Sequence, residues 1–175
     1  MRRYYHVDRN RTLKEGQIIN LVKYNDVNPP ELQDHVDFLF PEGVTSHGEL
    51  YMLRGETPAK GVSPVIELLF EYVRRTHFPS CPSRFQSVFA FENITQAENF
   101  KNKYGTSGSL IWEVESDVTF KTDMSLLTLQ GSLLVVSYNA HRYWKGISSG
   151  NNPVWEYLLS PPVKVIRRIF NHETS

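Results

Sequence analysis

One carboxylate, Glu156, stands between two aromatic rings in the stretch NPVWEYLL, close to the end of the 175-residue sequence. An isolated charge in an apolar strand is expensive to bury, so Glu156 needs a cationic partner among the nearby lysines and arginines, or a task. Two other stretches raise similar questions. In RYYHVD, His6 lies in an aromatic strand, where a hydrogen-bonded structural histidine is the ordinary reading. In RFQSVFAF, Phe85, Ser87, Phe89 and Phe91 alternate onto one strand face, and core packing is the ordinary reading of the rings. Glu113 and Glu115 alternate in WEVE and form a second carboxylate candidate.

The remaining chemistry is defined by exclusion. The sequence has no GxxxxGK(S/T), GxGxxG, GxSxG, HExxH or paired CxxC. Phosphate-loop, dinucleotide-fold, α/β-hydrolase and common zinc chemistry are therefore unsupported. The six histidines have no ligand spacing, so no metal site is expected. Lys plus Arg equals Asp plus Glu at 19 each, which excludes a global field for nucleic acid and leaves only local clusters such as Arg74-Arg75 and Arg167-Arg168. With 40% hydrophobic and 22% charged residues, no apolar run long enough to span a bilayer, and a lone Cys81, the expectation is a soluble, cytoplasmic protein with no membrane partner.

These residues must be positioned by a mixed set of elements. Strands are expected over 3–8, 17–22, 84–91 and 109–115, with a helical turn over 11–16. Pro29-Pro30 opens a helix through 28–40, and Ser63-Pro64 caps a clearer one with Val65, Ile66, Leu69, Phe70 and Val73 as its stripe. Thr95 and Glu98 have capping-box spacing for a helix ending at Gly105. The run 132–144 fits helix or strand, while WEYLL and VKVIRRIF read as two strands about Pro161-Pro162. No repeat or linker divides the chain, so residues 1–175 are expected to form one α+β domain.

The order of the three stretches resembles the ADP-ribosyltransferase family of the His-Tyr-Glu kind, toxins and poly(ADP-ribose) polymerases included. In that family a first strand carries His, a middle strand carries an aromatic residue and runs into a helix, and a late strand opens with Glu. SVFAFENITQAENF follows the middle pattern without a gap, with Phe89 at the stacking tyrosine, Thr95 at the small polar position and Phe100 at the second aromatic. VWEYLLSPPVKVI is similar to the closing segment. Two departures are His6-Val7 in place of His-Gly and the missing hydroxyl of Phe89. More narrowly, the chain is similar to a small bacterial group, long described as a domain of unknown function, connected with phage-defence toxins that modify nucleic acid.

The resemblance implies a single-domain α+β fold of two packed antiparallel sheets forming an NAD cleft with flanking helices. It implies a mono-ADP-ribosyltransferase, a bacterial toxin with NAD as co-substrate, a nucleic-acid (RNA or DNA) or protein acceptor, and an antitoxin protein as partner. Glu156 would be the catalytic group, accepting a hydrogen bond from the ribose 2-hydroxyl as oxocarbenium-like charge develops. His6 would hold the adenosine ribose, the Val7 backbone the nicotinamide amide, Phe89 the ring and Ser87 the carboxamide. Arg9 and Arg84 would take the pyrophosphate through their forked donors. Glu113 and Glu115 are similar to the paired glutamates of arginine-modifying transferases, but those pairs sit near the end of the fold, and a third of this chain follows Glu115. Alternatives on the same fold are an NAD glycohydrolase, an RNA 2′-phosphotransferase, whose His-His pattern is missing, and a non-catalytic partner-binding module. Residues 41–61 are expected to be a substrate loop, with Glu49, Tyr51 and Arg54 facing the acceptor, or a surface connection.

Overall fold

The computed structural model describes residues 2–55, 62–150 and 152–170. In chain order the elements are β1 (Arg2–Asp8), β2 (Ile18–Ile19), α1 (Pro30–Leu39) and α2 (Ser46–Gly48), which runs into a π-helical turn, Glu49–Leu53. Then come α3 (Pro64–His77), a 3-10 turn (Arg84–Gln86), β3 (Val88–Ala90), α4 (Ile94–Tyr104), β4 (Leu110–Ser116) and β5 (Thr119–Asp123). A second 3-10 turn (Met124–Leu126), α5 (Leu133–Trp144), β6 (Trp155–Leu159) and β7 (Val163–Ile169) complete the chain.

The α+β expectation and the two antiparallel sheets are both present. One sheet has the order β1-β4-β7-β2 and the other β3-β6-β5. The sheets are stitched by a reciprocal backbone pair between Tyr5 and Phe91, at 2.9 Å in each direction. Tyr4, Trp112, Val114, Val163 and Val165 of the first sheet pack against Val88, Ala90, Tyr157 and Leu159 of the second. The opposite face of the smaller sheet is covered by α3 and α5, where Phe70, Tyr143, Trp144 and Leu158 are fully buried. Each such side chain contributes on the order of 1.5–3 kcal/mol of burial. Glu156 therefore faces α3 and α5, while its neighbour Tyr157 turns into the layer between the sheets and meets Tyr4 at 4.8 Å.

Local chemistry explains where the elements depart from the pattern. Ser63 caps α3 as expected, its hydroxyl accepting from Val65 N at 3.3 Å. Asn93 rather than Thr95 caps α4, accepting from Gln96 N at 3.0 Å, because Asn is at least as good a cap and starts the helix two residues sooner. The expected turn of helix at 11–16 does not form; the Asp8 carboxylate takes the amides of Asn10 and Leu13 instead. Of the strand expected at 17–22, only Ile18–Ile19 pairs with β7, followed by an isolated bridge between Val22 and Val44. The start of the 84–91 run coils into a 3-10 turn, held by the Ser83 hydroxyl accepting from Phe85 N at 3.2 Å. The 132–144 run is α5, capped by Ser132 despite its valine pair.

Candidate active site

Strand register brings the three singled-out stretches to adjacent positions. His6 donates through Nδ1 to the Phe89 carbonyl at 2.7 Å, joining β1 to β3. β3 pairs with β6 so that Ala90 opposes Tyr157, which puts Glu156 across from Phe91. Backbone groups of alternate residues in an antiparallel strand point to the same edge. Val7 therefore turns its N–H and C=O to the edge at which Tyr5 meets Phe91, and there they have no partner among the described residues. The Val7 side chain is buried against Phe91, Ala97 and Ile111.

Arg84 organises the interior of the site. It is 3% exposed and grips Glu67 with two bonds, Nε to Oε2 at 2.7 Å and Nη2 to Oε1 at 2.9 Å. Its Nη1 donates to Glu156 Oε1 at 2.7 Å and also meets the Tyr143 hydroxyl. Tyr143 in turn donates to the same Glu156 oxygen at 2.8 Å. The guanidinium lies over the Phe89 ring, 4.6 Å from its centroid. Glu156 Oε2 has no hydrogen-bond partner among the described residues.

The 44–53 segment closes one side. Thr45 fastens it to the 3-10 turn, its N–H bonding the Phe85 carbonyl at 2.9 Å and its hydroxyl the Ser87 carbonyl at 3.1 Å. Gly48 permits the close approach, since a Cβ there would run into the Phe85 carbonyl and the Val44 side chain. The result is an aromatic corner in which His47 lies 4.6 Å from Tyr51 and 4.7 Å from Phe89 between ring centroids. Tyr51 comes from the π-helical turn, a geometry often found at functional sites.

Electrostatics follows from burial and these partners. Burial alone would raise the Glu67 carboxyl, yet Arg84 and His47 beside it hold it well below the usual carboxylate range. Burial would lower Arg84, but Glu67, Tyr143 and Glu156 lift it well above its ordinary value. Burial pushes the Tyr143 phenol up strongly. Burial also pulls His6 below its ordinary 6.5, offset only in part by its bond to the Phe89 carbonyl. Both His6 and Glu67 therefore bind protons more readily in the unfolded chain, so acid destabilises the fold. The His6 contribution is present above pH 6.5 and is lost as pH falls below it, and that of Glu67 is present above 4.5 and is lost below it. Urea unfolding at pH 7.5, 5.5 and 3.5 should show stability dropping at each step, and a flat profile would contradict these environments.

The expected site residues thus have unequal fates. His6, Val7, Phe89 and Glu156 come together. Arg9 is half-buried, makes no ion pair among the described residues, and acts electrostatically on both His6 and Tyr51. Arg84, expected at a pyrophosphate, is instead spent on Glu67 and Glu156, and it covers one face of Phe89 that was expected to receive a ring. Ser87 is 1% exposed and donates its hydroxyl to the Ser83 carbonyl at 2.7 Å. Phe100 packs on Phe91 and Tyr104 rather than near Phe89. Glu113 is held by Arg167 at 2.8 Å and Arg3 at 3.5 Å, and Glu115 by Arg3 at 3.2 Å. On β4 these two carboxylates lie on the face opposite Trp112 and Val114, away from the site. Glu49 bonds Tyr24 at 2.6 Å and Arg54, so of the three residues expected to face an acceptor only Tyr51 reaches the corner, beside His47; the end of the expected substrate loop, 56–61, lies outside the described residues.

Sequence reasoning missed His47, Glu67 and Tyr143. For Glu67 a signal existed: Ile66, Glu67, Phe70, Glu71 and Arg74 share one arc of α3, so both acids lie inside the apolar stripe and require buried partners. Glu71 finds Arg74, Arg75 and Ser83.

Residues 49–171, more than two thirds of the chain, match the family described as a protein of unknown function (DUF2441), and the chain belongs to that family. Glu67, Arg84, Phe89, Tyr143 and Glu156 fall inside the matched range, and His6, Arg9 and His47 precede it. No curated protein matches the chain.

Proposed function

We propose that this DUF2441 member is an NAD-dependent mono-ADP-ribosyltransferase that breaks the nicotinamide–ribose bond and passes ADP-ribose to a nucleic-acid or protein acceptor. The observation that carries the reading is the charge and shape of the corner around Glu156. Two buried carboxylates, Glu67 and Glu156, share one guanidinium, and Phe89, His47 and Tyr51 form an aromatic corner beside Arg84 and Glu67. Such a corner favours a planar cation, as the stacking of Arg84 over Phe89 illustrates. Arg9, half-buried and acting electrostatically on both His6 and Tyr51, favours an anion beside them. A ligand with a cationic ring at one end and phosphates beyond it fits both, and NAD is of this kind.

The protein's own groups then divide the work. Arg84 already covers one face of Phe89, so the nicotinamide ring is left the part of the Phe89 ring that the guanidinium does not cover. The unpaired Val7 backbone edge meets the carboxamide, in place of Ser87. Neutral His6, with Nδ1 donating to Phe89, offers Nε2 as an acceptor for a ribose hydroxyl. Glu156 presents Oε2 to the ribose next to the bond that breaks, while Arg84 and Tyr143 fix the carboxylate through Oε1. Pre-positioned charge of this sort is worth several kcal/mol to a cationic transition state. A toxin role and an antitoxin partner belong to the same reading.

The test is calorimetric titration with NAD and with NADH, whose nicotinamide ring is uncharged. NAD should bind at least tenfold more tightly, and Phe89→Ala should weaken it by roughly 1–3 kcal/mol through lost ring contact. Equal affinity for the two forms, or none for either, would sink the reading. A glycohydrolase on the same site would bind identically and is separated only by its product.

A further inference from the structure

His47 is a titratable side chain at the corner that the reading above uses only as a wall. Its Nε2 is buried 3.2 Å from Glu67 Oε1, close enough for an ion pair but out of line for a hydrogen bond. Its Nδ1 has no hydrogen-bond partner among the described residues and is not buried, so it is the nitrogen on the open side of the ring. The ring has little freedom to turn, with Tyr51 tilted against it and Phe89 edge-on to it. Nor can Glu67 swing away, since Arg84 holds both of its oxygens. A histidine with a carboxylate beside one nitrogen and its other nitrogen accessible and unpaired is arranged to accept a proton.

We propose that His47 is the general base that activates the acceptor, with Glu67 as its positioning residue. The inference rests on the ADP-ribosyltransferase reading and deepens it. In the step, the acceptor oxygen or nitrogen bonds to C1 of the ribose as the bond from that carbon to the nicotinamide nitrogen breaks, the electron pair leaving on nicotinamide. The acceptor's proton passes to His47 Nδ1 and from there to water. Glu156 is poorly placed to do this as well, because Oε1 is tied to Arg84 and Tyr143 and Oε2 is committed to the ribose. The charged and titratable groups facing His47 are Glu67 and Arg84 on the inside and, across Tyr51, Arg9. The two glutamates thus have separate duties, Glu156 toward the electrophile and Glu67, through His47, toward the nucleophile.

The test uses full-length wild type, His47→Gln and Glu156→Gln with NAD and water as acceptor, with and without sodium azide, an anionic nucleophile that has no proton to surrender. His47→Gln should still bind NAD by calorimetry, weakened by the ring contact it gives up, while at saturating NAD it loses ADP-ribose formation by about 10²-fold and forms ADP-ribosyl azide at close to the wild-type rate. Azide should not rescue Glu156→Gln. Undiminished ADP-ribose formation in His47→Gln would overturn the proposal, and so would a loss that azide fails to restore although NAD still binds. Should His47→Gln not fold, wild type alone decides: a solvent deuterium effect on ADP-ribose formation that is absent from azide capture supports the role, and equal effects refute it. If wild type neither binds nor cleaves NAD, the transferase reading itself fails and takes the role of His47 with it.

Discussion

Arg84→Met is expected to destabilise the fold by about 3–5 kcal/mol, because it strands Glu67 and Glu156 in the interior without their shared cation. For a chain of this size that lowers Tm by roughly 6–20 °C. The magnitude follows from burial: Glu67 is 0% exposed and Glu156 is 3% exposed, so Glu67 cannot recover water where it stands and Glu156 can do so only at its unpaired Oε2. Against a total stability of about 5–15 kcal/mol, the loss is a large fraction. Adding Glu67→Gln to Arg84→Met should restore part of it, since a neutral amide no longer needs the guanidinium, and the two changes should be strongly non-additive. Denaturant melts of the single and double variants check this. A loss below about 1 kcal/mol for Arg84→Met would mean that the cluster is not a buried ion network.

Glu156→Gln should behave oppositely, leaving stability nearly unchanged while removing activity. The substitution weakens the two bonds that Oε1 accepts, by less than the roughly 1.5–3 kcal/mol of a bond to a charged group, and it also removes the excess buried carboxylate of the cluster. Arg84 keeps its two bonds to Glu67, and the glutamine oxygen still accepts from Arg84 and Tyr143. Activity should fall by about 10²–10³-fold or more, because a neutral amide no longer offers negative charge to the ribose as positive charge develops. If Glu156→Gln instead melts as far down as Arg84→Met, then Glu156 serves the fold, and its position between Trp155 and Tyr157 has a structural explanation.

Much of the framework was legible because local signals agreed with the final packing. The strand pair β6 and β7 follows directly from WEYLL and VKVIRRI about the Pro161-Pro162 turn, and α3 from Ser63-Pro64 and its stripe. The α4 cap lies two residues before the expected Thr95, because Asn93 and Thr95 are both competent caps and the capping-box spacing distinguishes only the second. The helical turn expected at 11–16 lost to side-chain capture of backbone amides by Asp8, a competition that periodicity does not register. Within the candidate site, the adjacency of the strand-borne residues His6, Phe89 and Glu156 follows from strand order and alternation. The roles expected of Arg84 and Ser87 did not survive, because both residues are claimed by neighbours distant or hidden in sequence: Arg84 by Glu67 and Glu156, Ser87 by the carbonyl of Ser83. His47 and Tyr51 were illegible for another reason. The 41–55 segment has no period of its own, and it is placed by the bonds of Thr45 to Phe85 and Ser87 and by the close approach at Gly48.

The measurement that bears most directly on the central claim is incubation of purified wild type and Glu156→Gln with NAD labelled on the adenine side, in the presence of cell lysate. The account predicts release of nicotinamide by wild type and label on a nucleic acid or protein, with neither in Glu156→Gln at equal Tm. Free ADP-ribose without macromolecular label would convert the assignment to a glycohydrolase. No consumption of NAD by wild type, or undiminished consumption by Glu156→Gln, would contradict it.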